Sequence, residues 1–105
     1  MALRLNQDNF REKVLNAEKP VLVDFYSDTC IPCKQLAGIL GEIEDEYENR
    51  LLVYKVNVNY EQNLTAEYKV MSAPTLLLFV DGEEKSRKRG VIDEDAIKEL
   101  MKPYI

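Results

Sequence analysis

The stretch VLVDFYSDTCIPCK at residues 21–34 constrains the fold more than any other part of the chain. VLVDFYS is a nearly continuous apolar run, rich in β-branched and aromatic residues, which suits a strand buried on both faces. The period then changes. Leu36, Leu40, Ile43 and Tyr47 recur every three or four positions, while Glu42, Glu44, Asp45, Glu46 and Glu48 take much of the remaining surface. This predicts an amphipathic helix over residues 33 to about 48. A strand covered on both faces and feeding into a helix belongs to a sheet with helices on both sides.

The rest of the chain extends that pattern. A short strand is expected at Leu3–Leu5, then a helix within residues 6–19, with Asn6 or Asp8 as cap and Phe10 and Val14 on one face. Lys19 and Pro20 end it. LLVYKVNV at 51–58 reads as a strand and YEQNLTAEYKV at 60–70 as a short helix capped by Asn59. In MSAPTLLLFV a buried strand follows a proline, and Asp81-Gly82 is a hairpin turn signal that sends KSRKRGV back antiparallel. DEDAIKELMKPYI closes the chain as a helix capped by Asp93, with acidic residues early and lysines late, as the helix dipole favours. Gly38 and Gly41 weaken the second helix and predict a bend or close backbone packing there. The expected class is α/β, ordered β-α-β-α-β-α-β-β-α, in one domain over residues 1–105.

Composition removes several classes of function. With 46% apolar and 31% charged residues, the chain has the balance of a folded domain rather than a disordered one. The net charge of -5 opposes attraction to nucleic acid or anionic lipid. Lys85, Arg87, Lys88 and Arg89 form a local exception, readable as charges blunting an edge strand or as a dock for an acidic partner. No stretch approaches ~18 apolar residues, and MALRLNQDNF lacks a basic region followed by an apolar segment. A cytoplasmic protein is therefore expected, although a mature fragment of a secreted one would read the same.

The two cysteines, Cys30 and Cys33, fall at the junction of buried strand and helix, a frequent home for chemistry in open α/β sheets. Their spacing permits three readings. A metal site needs further ligands; the chain has no histidine and no third cysteine, so Asp28 or a second chain would have to supply them. Either cysteine alone is also a plausible inert core residue. A dithiol redox pair explains more. With Cys30 as helix N-cap, its sulfur faces the free N-H groups of the first turn, which favour a thiolate, and Cys33 at N3 can reach it.

Pro32 removes one of those donors, so the thiolate is only partly stabilised and the pair leans toward reductant. Asp24, in an otherwise apolar strand, is the candidate base for Cys33, since burial raises a carboxyl group's proton affinity; the alternative is an edge position facing solvent. Lys55 in the next strand either tempers Asp24 or lies on the surface. Pro74 is either a trans residue starting its strand or a cis residue forming a tight turn.

Three segments, VLVDFYSDTCIPCK, YKVNV and VMSAPTLLLFVDGE, together resemble the thioredoxin family across essentially all 105 residues. The resemblance implies the thioredoxin fold, a central mixed sheet of about five strands flanked by four helices, and a protein-disulfide reductase. It makes Cys30 the nucleophile, Cys33 the resolving thiol, Asp24 the proton acceptor and Lys55 its modulator. Pro74 would be cis, with Ala73 backbone hydrogen-bonding an extended substrate and Gly90 part of a flat contact surface, beside Thr29, Ile31 and Pro32. No bound cofactor or metal is implied beyond the Cys30–Cys33 disulfide. The implied partners are protein disulfides and a thioredoxin reductase, either an NADPH flavoprotein or ferredoxin-linked, acting on a monomer. The sequence departs from the family's usual WCGPC in having TCIPC, and has Gly38 where a proline is usual. A carrier served by a non-standard reductase, or an interaction module with regulatory cysteines, are the alternatives.

Overall fold

In the computed structural model, which describes residues 2–90 and 92–105, the sheet runs β1 (Leu3–Leu5), β3 (Leu52–Asn57), β2 (Val21–Tyr26), β4 (Thr75–Val80), β5 (Glu83–Arg89). The strands β1 and β2 lie parallel to β3; β4 is antiparallel to β2, and β5 to β4. The mixed sheet with helices on both faces is the architecture expected. The helices among the described residues are α1 (Gln7–Phe10), continued by a π-helical segment (Arg11–Leu15), α2 (Ile31–Glu46), α3 (Gln62–Glu67) and α4 (Glu94–Met101), which a 3-10 turn (Lys102–Tyr104) extends.

Strand alternation divides the buried side chains between two layers. Val21, Val23 and Phe25 of β2, with Leu77 and Phe79 of β4, pack against Phe10, Val14 and Leu64 from α1, its π continuation and α3. Leu22, Leu76 and Leu78 face the other way, against Leu36, Leu40 and Ile43 of α2 and Ile97 and Met101 of α4. Asp24 shares the second face with Leu22. Register pairs it with Lys55 on one side and Leu76 on the other, so Asp24 sits in a central strand, 3% exposed, and not at an edge.

Local sequence explains the starts of α1 and α4. Asn6 and Asn9 form a reciprocal capping box, each side-chain oxygen accepting from the other's backbone N-H at 2.8 and 3.0 Å. Asp93 caps α4 through the N-H of Ala96 at 2.8 Å. The hairpin expected at Asp81-Gly82 has positive φ at both residues, 52° and 79°, and a Cβ on Gly82 would come within 2.8 Å of the Leu15 carbonyl oxygen.

Two local expectations differ. Asn59 does not cap α3; the buried Asn57 shapes that turn, its side-chain oxygen accepting from the Asn59 N-H at 2.9 Å. Nor are Gly38 and Gly41 packing glycines: α2 runs unbroken through both, and a Cβ on either meets nothing within 4 Å. The basic segment is the edge strand β5. Its Arg87 pairs with Glu84 at 2.6 Å and donates to the Tyr68 carbonyl at 2.8 Å, and Lys85 pairs with Glu83 at 3.1 Å, so two of the four basic side chains are engaged within the chain.

Candidate functional site

Where β2 ends, Ser27 and Thr29 make a tight turn: the Cys30 N-H donates to the Ser27 carbonyl at 3.3 Å, and Ser27 and Thr29 hydroxyls lie 3.3 Å apart. The turn delivers Cys30 as N-cap of α2, with extended backbone (φ -91°, ψ 111°). Its sulfur accepts the Cys33 N-H at 3.1 Å, because N-cap and N3 lie one turn apart on the same side. Ile31 and Pro32 fill N1 and N2, and the two sulfurs are joined in a disulfide. Cys33 is buried and Cys30 half-buried, so an incoming thiol reaches Cys30 first.

The second half of the site comes from a segment 43 residues further on. The Ala73–Pro74 peptide is cis, and the Ala73 carbonyl oxygen lies 3.5 Å from Cys30 Sγ. Gly90, at φ 86°, donates its N-H to the Pro74 carbonyl at 3.0 Å. Only a glycine holds that left-handed backbone without strain, and it presents no side chain over the loop. Thr75, fully buried, fastens the turn from within through its hydroxyl to the Ser72 carbonyl at 2.7 Å. Cys30, Cys33, Ala73, Pro74 and Gly90 are thus brought together.

Beneath Cys33 a cavity of about 180 Å³ is shared by Asp24, Asp28, Lys34 and Lys55. Burial pushes the Asp24 carboxyl from 3.8 up to about 7, and the positive field of Lys55 lowers it by less than burial raises it. Among the described residues Asp24 Oδ1 has no hydrogen-bond partner. The Lys55 ammonium lies 5.4 Å from the centroid of the Tyr26 ring, half-buried rather than free on the surface. No group of three or more Asp, Glu or Cys that would hold a metal ion occurs among the described residues.

The sequence matches the family model described as Thioredoxin over residues 1–103. This chain belongs to the thioredoxin family. A thioredoxin of Acidithiobacillus ferridurans is 44% identical over 92 residues, covering 88% of this chain and 85% of that protein. One from Buchnera aphidicola subsp. Acyrthosiphon pisum is 41% identical over 99 residues, covering 94% and 92%. One from Rickettsia felis is 37% identical over 105 residues and spans 100% of both chains. As a member of the thioredoxin family the chain is a dithiol-disulfide oxidoreductase, a protein-disulfide reductase whose redox group is the Cys30–Cys33 disulfide. The family acts on protein disulfides together with a reductase. Among the described residues no helix is long and apolar enough to cross a membrane.

Two side chains near the site escaped the sequence reading. Met71 is 83% exposed and Tyr60 67%, more open than most apolar residues of the chain, as is Ile31 at 70%. The available signal was a methionine three positions ahead of Pro74.

Proposed function

We propose that Cys30 is the nucleophile and Cys33 the resolving thiol of a reductase working on protein disulfides as a single domain. Cys30 thiolate attacks one sulfur of the substrate disulfide and expels the other as a thiolate, which takes up a proton. The mixed disulfide then yields to Cys33, whose proton passes to Asp24 as its sulfur attacks Cys30 Sγ and releases the second substrate thiolate. Two electrons move from the Cys30 and Cys33 sulfurs to the substrate sulfurs; the two substrate thiolates take their protons from solvent, which receives in exchange the proton Cys30 lost on ionising and the one Asp24 gives up as it returns to its starting state. Asp24, with a pKa near 7, is divided between acid and base at neutral pH, the condition for a base that must recover its starting state each cycle.

The observation that carries this reading is the Cys33 N-H donating to Cys30 Sγ at the start of α2, with Ala73 3.5 Å away. Ala73 backbone beside Pro74 offers hydrogen bonds to an extended substrate segment. Thr29, Ile31, Pro32 and Gly90 form the contact surface around it, with Lys55 modulating Asp24. The reductant is a thioredoxin reductase, NADPH flavoprotein or ferredoxin-linked, meeting a monomer in the cytoplasm; these are the family's ordinary partners and the net charge of -5 suits them better than nucleic acid.

Insulin-disulfide reduction with each class of reductase tests the proposal. Activity should vanish in Cys30→Ser, while Cys33→Ser should trap a mixed disulfide at Cys30. Turnover by either single mutant would overturn the two-sulfur cycle.

A further inference from the structure

Asp24 reaches a second cavity, larger than the one beneath Cys33. At about 400 Å³ it runs along the flank of α2, bounded by Gly38, Gly41, Leu40, Ala2 and Lys55. Its polar side chains are Asp24 and Lys55, so water entering it meets a carboxyl group as acceptor and an ammonium as donor.

Both glycines lie within a regular helix, where glycine costs about 1 kcal/mol relative to alanine. Neither has a positive φ, and a Cβ on either would meet no neighbour. Neither backbone geometry nor close packing accounts for them, yet both border the cavity that ends at the buried carboxylate. The first cavity, bounded by Cys33, Lys34, Asp28 and Tyr26, also ends at Asp24.

We propose that the Gly38–Gly41 cleft is a water port to Asp24, keeping the carboxyl group hydrated and in proton exchange with solvent during resolution by Cys33. Gly38 and Gly41 are then positioning residues for the resolution step, acting through Asp24. This rests on the proposed role of Asp24. The groups that face Asp24 are Lys55 from β3, Tyr26 and Asp28 from β2 and the loop after it, and Cys33 and Lys34 from α2; its β4 neighbour, Leu76, is apolar.

The test fills the port in the full chain. Gly38→Leu and Gly41→Leu introduce good helix formers, so α2 should be retained, and the corresponding Ala variants add only one carbon. Carbon NMR of the Asp24 carboxyl group should show its titration midpoint rising by about one unit in the Leu variants, with the Ala variants between them and the parent, since a drier site disfavours the charged form. The pH profile of mixed-disulfide resolution should move up with it, and in an Asp24→Asn background the Leu substitutions should leave the rate unchanged. Parent-like midpoints in both folded Leu variants, or equal slowing with and without Asp24, would overturn the port. Parent-like resolution by Asp24→Asn alone would instead remove the base role, a failure the midpoint measurement distinguishes.

Discussion

The two faces of the sheet differ in what they tolerate. On the α1/α3 face, Phe10, Tyr68 and Phe79 interlock with ring centroids 5.3 to 5.9 Å apart, and the surrounding side chains are aliphatic or aromatic. On the α2/α4 face, aliphatic packing by Leu22, Leu36, Leu76 and Leu78 is interrupted at Asp24 and Lys55. One face stabilises the domain; the other gives up part of that stabilisation to hold a carboxyl group beside a thiol. A buried, unpartnered carboxyl group has no structural advantage over a leucine.

Breaking the comparison at the sulfurs should produce the largest effect. Cys30→Ser should lower turnover in the insulin assay by at least about 10³-fold, the scale on which an obligatory nucleophile acts, with the melting temperature of its reduced form within a few degrees of the reduced parent. Phe10→Ala, on the opposite face, should show the reverse. It should cost about 3–5 kcal/mol in denaturant unfolding, while the rate per folded molecule stays at the parent value. A large loss of rate in the folded Phe10→Ala protein would mean that the two faces are not separable.

Asp24→Asn tests both properties of its face. In the unfolded chain Asp24 ionises near pH 4, in the folded protein near pH 7. Between those values the native state holds a proton that the unfolded state has lost, so the parent loses stability as pH rises through this window and levels off above it. Asp24→Asn should therefore match the parent below pH 4 and exceed it above pH 7 by roughly 2–4 kcal/mol, the linkage equivalent of the raised pKa. Resolution by Cys33 should slow about 10²-fold, as loss of a general base does. Equal unfolding curves at pH 8 would show that burial of the charge is not costly.

The smallest effect expected is at the first turn of α2. Pro32→His restores an N-H at N2, adding a donor for Cys30 Sγ and stabilising the thiolate. The potential should become less negative by tens of millivolts, where 30 mV corresponds to about 1.4 kcal/mol. Equilibration with a glutathione buffer measures it, and a more negative value would contradict the donor count.

Asn6, Asp93, the Asp81-Gly82 turn and the start of α2 at Cys30 were legible because each depends on interactions within four residues. The Asn59 cap failed for the same reason in reverse: two asparagines compete in VNVN, and burial of the Asn57 side chain decides which one shapes the turn. Gly38 and Gly41 looked like packing residues because sequence shows the missing side chain but not the space around it.

By itself, then, the sequence determined the order of elements, the nearly continuous apolar runs that make β2 and β4 central, and the capping geometry that sets Cys30 against Cys33. All of these follow from periodicity and short-range hydrogen bonds. Tertiary structure decided the rest. Flanking β2 with β3 and β4 buried Asp24, and the sheet brought Ala73 to Cys30 across 43 residues. It also selected cis at Ala73–Pro74, where the isomers of an unconstrained X-Pro bond differ by only about 0.5–1 kcal/mol. Burial and long-range proximity are properties of neighbours, and neighbours across a sheet are chosen only when the chain folds.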